Sequence, residues 1–388
     1  SRRQCLLSAV LCASPSSARA HGPRAAAPAR PGGAAAVGER RAVGIGGRAA
    51  RIARAVGAAA AFGLSSGTLL SLLTQATIYA LFALGVGLLL KQNGIVSFGH
   101  ALYFGAAGYV VALLLQQKAT SAELAVLLAI GGLGLLGFVV GLVIVRVPGV
   151  AFGMLTLAVG QMAYLSASRS RGITGGADGL QVDWPARLFG LPTALLLKPS
   201  GLLLLSWTVL VLVLLGLTLL LRGRFGAVTE ACRDNEERAR FIGIRTLLPR
   251  AAVYGLSAAV TATAGVLAAL NTGFISPESL HWSLSGVALM MVVVGGTRVL
   301  WGPALGAAVY FLAKDALGDH AQHWMAIFGV ALIVVIVYAP DGLSGLLLRR
   351  RAGRGARSAA PASAADAATP ASPAHAAATA GQRPEATP

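Results

Sequence analysis

GLLLLSWTVLVLVLLGLTLLL, residues 201–221, runs directly into RGRFGAVTEACRDNEERARFIGIRTLLPR, residues 222–250, and then into AAVYGLSAAVTATAGVLAAL, residues 251–270. The outer stretches carry no charge, whereas the middle one carries seven arginines and four acids. An apolar run of about 20 residues has the length of a bilayer-crossing helix, and a loop this charged has no place in hydrocarbon. The three stretches read as helix, aqueous loop, helix. From Ala227 to Ile242 there is no proline, and glycine returns only at Gly243. Arg233, Asp234, Glu236, Glu237, Arg238 and Arg240 lace that segment with charge, which predicts one short surface helix. At helical spacing Asp234, Arg238 and Phe241 fall along one side, so the segment offers charge and one aromatic anchor. Two readings of it stand: a solvated loop on the positive-inside face of a membrane, or a docking helix for a soluble partner.

Composition extends this reading to the whole chain. Of 388 residues, 56% are hydrophobic and 12% charged, with a mean hydropathy of +0.72, which places the chain among integral membrane proteins. The 49 glycines suit helices packed through small faces. A net charge of +18 resembles a nucleic-acid signal, but its distribution argues against one. Residues 1–60 hold ten arginines against one acid, and 349–388 hold six against two. The excess sits in the tails, where it sets topology or meets anionic lipid headgroups, and no nucleic-acid partner is expected. Cys5, Cys12 and Cys232 are too dispersed for a disulfide or zinc framework.

Working outward, residues 1–60 are a low-complexity extension expected to be disordered. Arg2, Arg3 and Ala18-Arg19-Ala20 mimic a signal peptide there. A transmembrane region fills 61–348, with 222–250 as its aqueous loop, and 349–388 forms a polar tail expected to be disordered. Leu64–Leu90 is the first long span. GIVSFGHALYFGAAGYVVALLL, 94–115, is polar at its start and glycine-rich, and reads as a broken or internally packed segment. Glu123–Val145 and Val150–Ser168 span again, and an irregular connection, 169–200, leads to the span at 201–221. After Ala251–Leu270 come the polar turn GFISPESLHW, 273–282, and apolar segments at Ser283–Gly296, Val299–Leu312 and Trp324–Tyr338. The expected fold is an all-α polytopic helix bundle of about eight to ten transmembrane segments.

Five spans before the loop and four after it put the arginine-rich N-terminus outside if the loop is inside. Either Ala55–Leu64 is the remnant of a further helix, or 94–115 does not fully cross. A short repeat, Gly94-Ile95-Val96-Ser97 against Gly273-Phe274-Ile275-Ser276, points to two related halves meeting at interrupted helices, as in many transporters.

Chemistry is sparse. No G-x-x-x-x-G-K-[ST] pattern occurs, so no ATP-phosphate cradle is expected in this chain. No acid lies inside an apolar span, which counts against a carrier driven by protons or sodium. His320 and His323 have H-x-x-H spacing near Asp315 and Asp319, but a polar inter-helix loop explains them better than a metal site. No catalytic residue and no metal is assigned. A stand-alone channel or facilitator is the alternative to an energy-coupled permease, although a simple pore has no need of the charged loop.

Five ordered blocks over about 64–348 carry a family resemblance. GIVSFGHALYFGAAGY, ITGGADGL (173–180), FGAVTEACRDNEERARFIGI, GFISPESLHWSLSG and VVVGGTRVLWGPALGA resemble the permease subunits of ATP-binding-cassette importers for branched-chain amino acids, the LivM type, whose relatives also serve urea or other small polar solutes. That resemblance implies inner-membrane location and no cofactor bound by this chain. It also implies three kinds of partner: ATPase subunits that hydrolyse the ATP, a second permease and a periplasmic solute-binding protein. It places Ala231, Arg233, Asp234, Asn235, Glu236, Ala239 and Gly243 in the segment that docks into the ATPase. Ser97, Phe98, Gly99, His100, Thr174, Gly175, Gly176, Asp178, Gly179, Ser276 and Pro277 become candidates for the translocation path. Arg233 and Glu236 are expected to pair with charges on the ATPase. Three departures stand out: GGTRVLWG around Thr297-Arg298, Val287 where many relatives carry a carboxylate, and an eroded helix before residue 64.

Overall fold

The computed structural model describes residues 67–118, 120–188, 190–318, 324–338 and 342–345. Expectations for the 1–60 extension, Ala55–Leu64, Cys5, Cys12, Asp319, His320, His323 and the tail after 349 lie outside the described residues. In chain order the elements are α1 (Gly67–Asn93), α2 (His100–Gln116), α3 (Ala122–Ile144), α4 (Val150–Arg169), the short α5 (Arg171–Thr174), β1 (Leu180–Gln181), β2 (Arg187–Leu188), β3 (Leu191–Pro192) and α6 (Thr193–Leu196). There follow α7 (Pro199–Arg222), α8 (Arg224–Asp234), α9 (Glu236–Phe241), α10 (Leu247–Thr272), β4 (Phe274–Ile275), α11 (Trp282–Gly295), α12 (Gly302–Gly318) and α13 (Trp324–Tyr338). Helices α1, α3, α4, α7 and α10 are long and apolar enough to cross a membrane, and α2 and α11 are shorter apolar helices. The molecule is a polytopic all-α bundle.

Burial sorts these helices into centre and rim. In α1 and α10, 78% of the apolar stretch is buried, against 28% in α3 and α4 and 33% in α7. Lipid offers apolar groups as good a surrounding as protein, so a helix is drawn inward only where small side chains let neighbours approach closely. The α10 sequence, rich in Ala, Gly, Ser and Thr, provides this: a Cβ on Gly265 would collide with the Phe104 carbonyl of α2. Leucine-rich α3 instead presents Leu127, Leu135, Val139 and Val143 outward, the pattern of a lipid-facing surface.

All the long elements share two ends. Asn93 Nδ2 donates to Arg250 O at 3.0 Å, Arg233 Nη1 to Lys91 O at 2.7 Å, and Lys91 Nζ to Arg298 O at 2.9 Å. Those contacts define a loop end. At the opposite end Gln116 Nε2 donates to Gln181 O at 3.4 Å, and β1 pairs with β4, Leu180 against Ile275 and Gln181 against Phe274. Helix α2 and its lead-in therefore run from the loop end towards the other.

The repeat has structural content. Gly94 (φ +67°) and Gly273 (φ +65°) each end a central helix in the left-handed region that favours glycine. Gly94 lies at the loop end and Gly273 at the other. Each leads through a connection without α-helix into a short apolar helix, α2 or α11. The halves interlock: α10 packs on α2 and α3, and α1 packs on α11 and α12.

One local expectation is corrected. The charged segment is two helices, α8 and α9, because Asn235 takes extended backbone angles (φ −157°, ψ 102°) and its Oδ1 accepts from Arg238 N at 2.9 Å. An asparagine that caps a new helix competes with continuation of the old one. Asp234 and Arg238 therefore do not share one continuous helix face.

Candidate functional site: a braced loop and an outward cavity

The loop is fastened to both central helices. Thr229 Oγ1 donates to Gln92 Oε1 of α1 at 2.8 Å, and Arg233 grips the Lys91 carbonyl. Glu236 takes Arg250 Nη1 on one oxygen at 2.6 Å, and Arg240 Nη2 at 2.6 Å and Thr246 Oγ1 at 3.0 Å on the other. Burial raises the Glu236 carboxyl, but Arg250, the Thr246 hydrogen bond and Arg240 outweigh it, so its pKa lies below the ordinary value. Ala239 and Cys232 are buried beneath the loop, and burial pushes the Cys232 thiol up, away from reactivity.

These contacts show where the chain itself holds the predicted residues. Arg233 bonds within the chain, to Lys91 O and to Asp234 at 2.8 Å, and Glu236 binds Arg240, Thr246 and Arg250. Both are internal braces here, because chain neighbours satisfy their charges before any partner arrives. Ala231, Asp234, Asn235 and Gly243 are exposed. Phe241 (90% exposed) and Ile242 (70%) are the large apolar residues the loop leaves most bare. Helical spacing singles out Phe241 as an aromatic anchor but gives no sign of Ile242.

Ser97, Phe98, Gly99 and His100 form a knot inside the bundle. Ser257 Oγ donates to Gly85 O at 2.6 Å, so it accepts from His100 Nε2 at 2.7 Å. His100 Nδ1 then accepts the Ser97 hydroxyl proton at 2.8 Å, and Ser97 Oγ accepts from Gly99 N at 3.3 Å. Ser285 caps Ala101 N at 2.8 Å, and Thr156 takes Phe98 N at 3.2 Å. Five helices, α1, α2, α4, α10 and α11, meet at this point. Ser97 and His100 are fully buried, and none of the four residues borders the main cavity. They hold the broken start of α2 in place, since non-helical backbone at this depth must be satisfied by protein.

The other candidates gather at the opposite end. Thr174 Oγ1 bonds the Ala167 and Ser170 carbonyls, Gly175 and Gly176 turn the chain at positive φ, and Asp178 is exposed. Gly179 (φ +70°) sits so close to Ile275 that a Cβ would strike its carbonyl. The β1–β4 pairing thus joins the 173–180 block to the 273–282 block, with Pro277 buried. Of all the path candidates, Ser276 alone lines the main cavity.

That cavity, of about 690 Å³, opens at the end away from the loop. Gln75 and Tyr79 of α1, Phe104 of α2, Tyr164 of α4, Asn271 and Thr272 of α10, and Glu278, Ser279, His281 and Ser283 of the following turn border it. His281 packs edge-on to Tyr164, ring centres 5.0 Å apart, and accepts from Ser283 N. The lining of the cavity includes Phe104, one helical turn from His100. Sequence reasoning missed most of this lining. The available signal was polar Gln75, Asn271 and Thr272 inside or ending otherwise apolar helices.

Helices of membrane-crossing length, a cavity at one end and a braced charged loop at the other are the architecture expected of a membrane transport permease. The family described as "Branched-chain amino acid transport system / permease component" matches residues 68–337, and the chain belongs to it. The chain is 26% identical over 306 residues to the high-affinity branched-chain amino acid permease LivM of Escherichia coli K12, covering 73% of this chain and 71% of that protein. It is 27% identical to BraD of Pseudomonas aeruginosa, named for the same transport system, over 70% and 93% of the two chains. It is also 30% identical to LsrC of Salmonella paratyphi A, named for autoinducer 2 import, over 75% and 82%. No solved structure matches the chain.

Proposed function

We propose that this chain is one membrane-spanning subunit of an ATP-binding-cassette importer in a bacterial inner membrane. It carries a small zwitterionic or neutral polar solute, branched-chain amino acids first and urea or another small polar solute second. A periplasmic binding protein delivers solute to the cavity at Gln75, Tyr79, Tyr164 and Asn271. A second permease completes the path, and ATPase subunits hydrolyse ATP and seat against the loop; the chain itself binds no cofactor. The carrying observation is the bracing of α8 and α9 onto α1 and α10 through Thr229–Gln92, Arg233–Lys91 and Glu236–Arg250. A displacement of the loop is thereby handed to two of the helices that line the cavity. Arg146, the loop arginines and Arg298 all lie at the loop end, which favours that end as cytoplasmic.

The test is reconstitution with ATPase subunits, a second permease and a solute-binding protein. Labelled leucine should enter vesicles only with ATP and binding protein. Solute flux through the chain alone would overturn the importer in favour of a channel. Labelling of a cysteine at Arg238 from the periplasm would overturn the orientation.

A further inference from the structure

A second cavity, of about 450 Å³, lies at the loop end between the close of α3 and the start of α10. Val145, Arg146, Pro148, Glu236, Arg240, Thr246, Leu247 and Arg250 enclose it, which sets three guanidinium groups against one carboxylate. Glu236 engages Arg240 and Arg250. Arg146 uses Nε to donate to its own helix at Leu142 O, 3.1 Å away, and among the described residues forms no ion pair. The site therefore keeps a net positive charge at the membrane boundary. Directly along α3 from Arg146 run Leu135, Val139 and Val143, 65%, 51% and 67% exposed. Spaced at four, four and three residues, they form one stripe on one helix face that ends at the guanidinium.

We propose that this cavity binds the phosphate of an anionic phospholipid, with its acyl chains laid along the Leu135–Val139–Val143 stripe. A planar fork of N–H donors matches phosphate oxygens in pairs, and basic recesses between helices on the cytoplasmic side suit anionic headgroups. The apolar stripe selects a lipid over a free phosphate, because a free ion gains nothing from it. A bound phosphate would share Arg240 and Arg250 with Glu236 and so tighten the same brace that seats the loop.

Native mass spectrometry of the purified, delipidated full chain tests this, with phosphatidylglycerol, phosphatidylcholine and inorganic phosphate as probes. The chain should hold one phosphatidylglycerol in preference to phosphatidylcholine. Arg146→Gln should weaken it about fivefold, Arg146→Glu should weaken it further, and Arg222→Gln, outside the cavity, should leave it unchanged. Val143→Asn keeps every guanidinium, so it should weaken long-chain but not dihexanoyl phosphatidylglycerol. Equal affinity for the two lipids, or unchanged binding in Arg146→Glu, would overturn the proposal. Binding of inorganic phosphate with the same Arg146 dependence, and no chain-length effect of Val143→Asn, would make this a free-anion site and overturn the lipid.

Discussion

Glu236 and Arg250 form an ion pair 2.6 Å long that ties the second loop helix to the first turn of α10. Arg240 and Thr246 share the same carboxylate. Glu236→Ala would leave two arginines side by side with no counter-charge. The Glu236 side chain is 34% exposed, and screening by solvent limits the loss to about 1 kcal/mol. Amides of the α9–α10 connection should then exchange with deuterium about fivefold faster, while insertion stays normal and ATP-driven uptake falls. Unchanged exchange with lost uptake would mean that Glu236 meets the ATPase directly.

The pH dependence of that brace follows from its sign. A carboxyl held below its ordinary value of 4.5 contributes fully above that value and is lost only as pH falls through the lower, folded one. Loop protection in exchange experiments should therefore stay level from neutral pH down to the ordinary carboxylate range and drop below it. Glu236→Gln should abolish the drop.

His100→Ala would leave the buried Ser97 hydroxyl without its acceptor, take from Ser257 Oγ the proton it accepts, and leave a void. A cost of about 3 kcal/mol is expected, seen as a lower melting temperature in detergent and reduced membrane yield. A variant that melts normally but changes its choice of solute would show instead that His100 contacts solute.

Gly179→Ala puts a methyl against the Ile275 carbonyl in a conformation that L side chains rarely adopt. It should break the β1–β4 link and abolish uptake. Gly172→Ala supplies the contrast within the same connection. Nothing lies within 4 Å of a Cβ built there, so that variant should be tolerated. Uptake assays on both variants, normalised to membrane yield, decide the point.

Phe241→Asp alters a side chain that is 90% exposed, so folding and melting should not change. Co-purification of the ATPase subunits should fall about tenfold or more, as for an aromatic anchor at an interface. Full retention of the ATPase would remove α9 from the docking surface.

The amino-acid sequence by itself determined the membrane class, the spans and the aqueous loop, because hydrocarbon tolerates only long uncharged helices and expels charge. It also marked Gly94 and Gly273 as related, since a helix that ends in a left-handed turn asks for glycine. It did not show that Asn235 would cap a new helix, because a cap depends on which way the chain turns. Tertiary structure alone decided which charges the chain itself holds. Arg233 and Glu236 read as partner contacts on an isolated helix, yet Lys91 and Arg250, 142 and 14 residues away, claim them. The knot at His100 and the cavity at Tyr79 and Tyr164 were likewise hidden. Each is made by side chains from several helices, and one-dimensional spacing records the face a residue occupies, not the neighbour it meets.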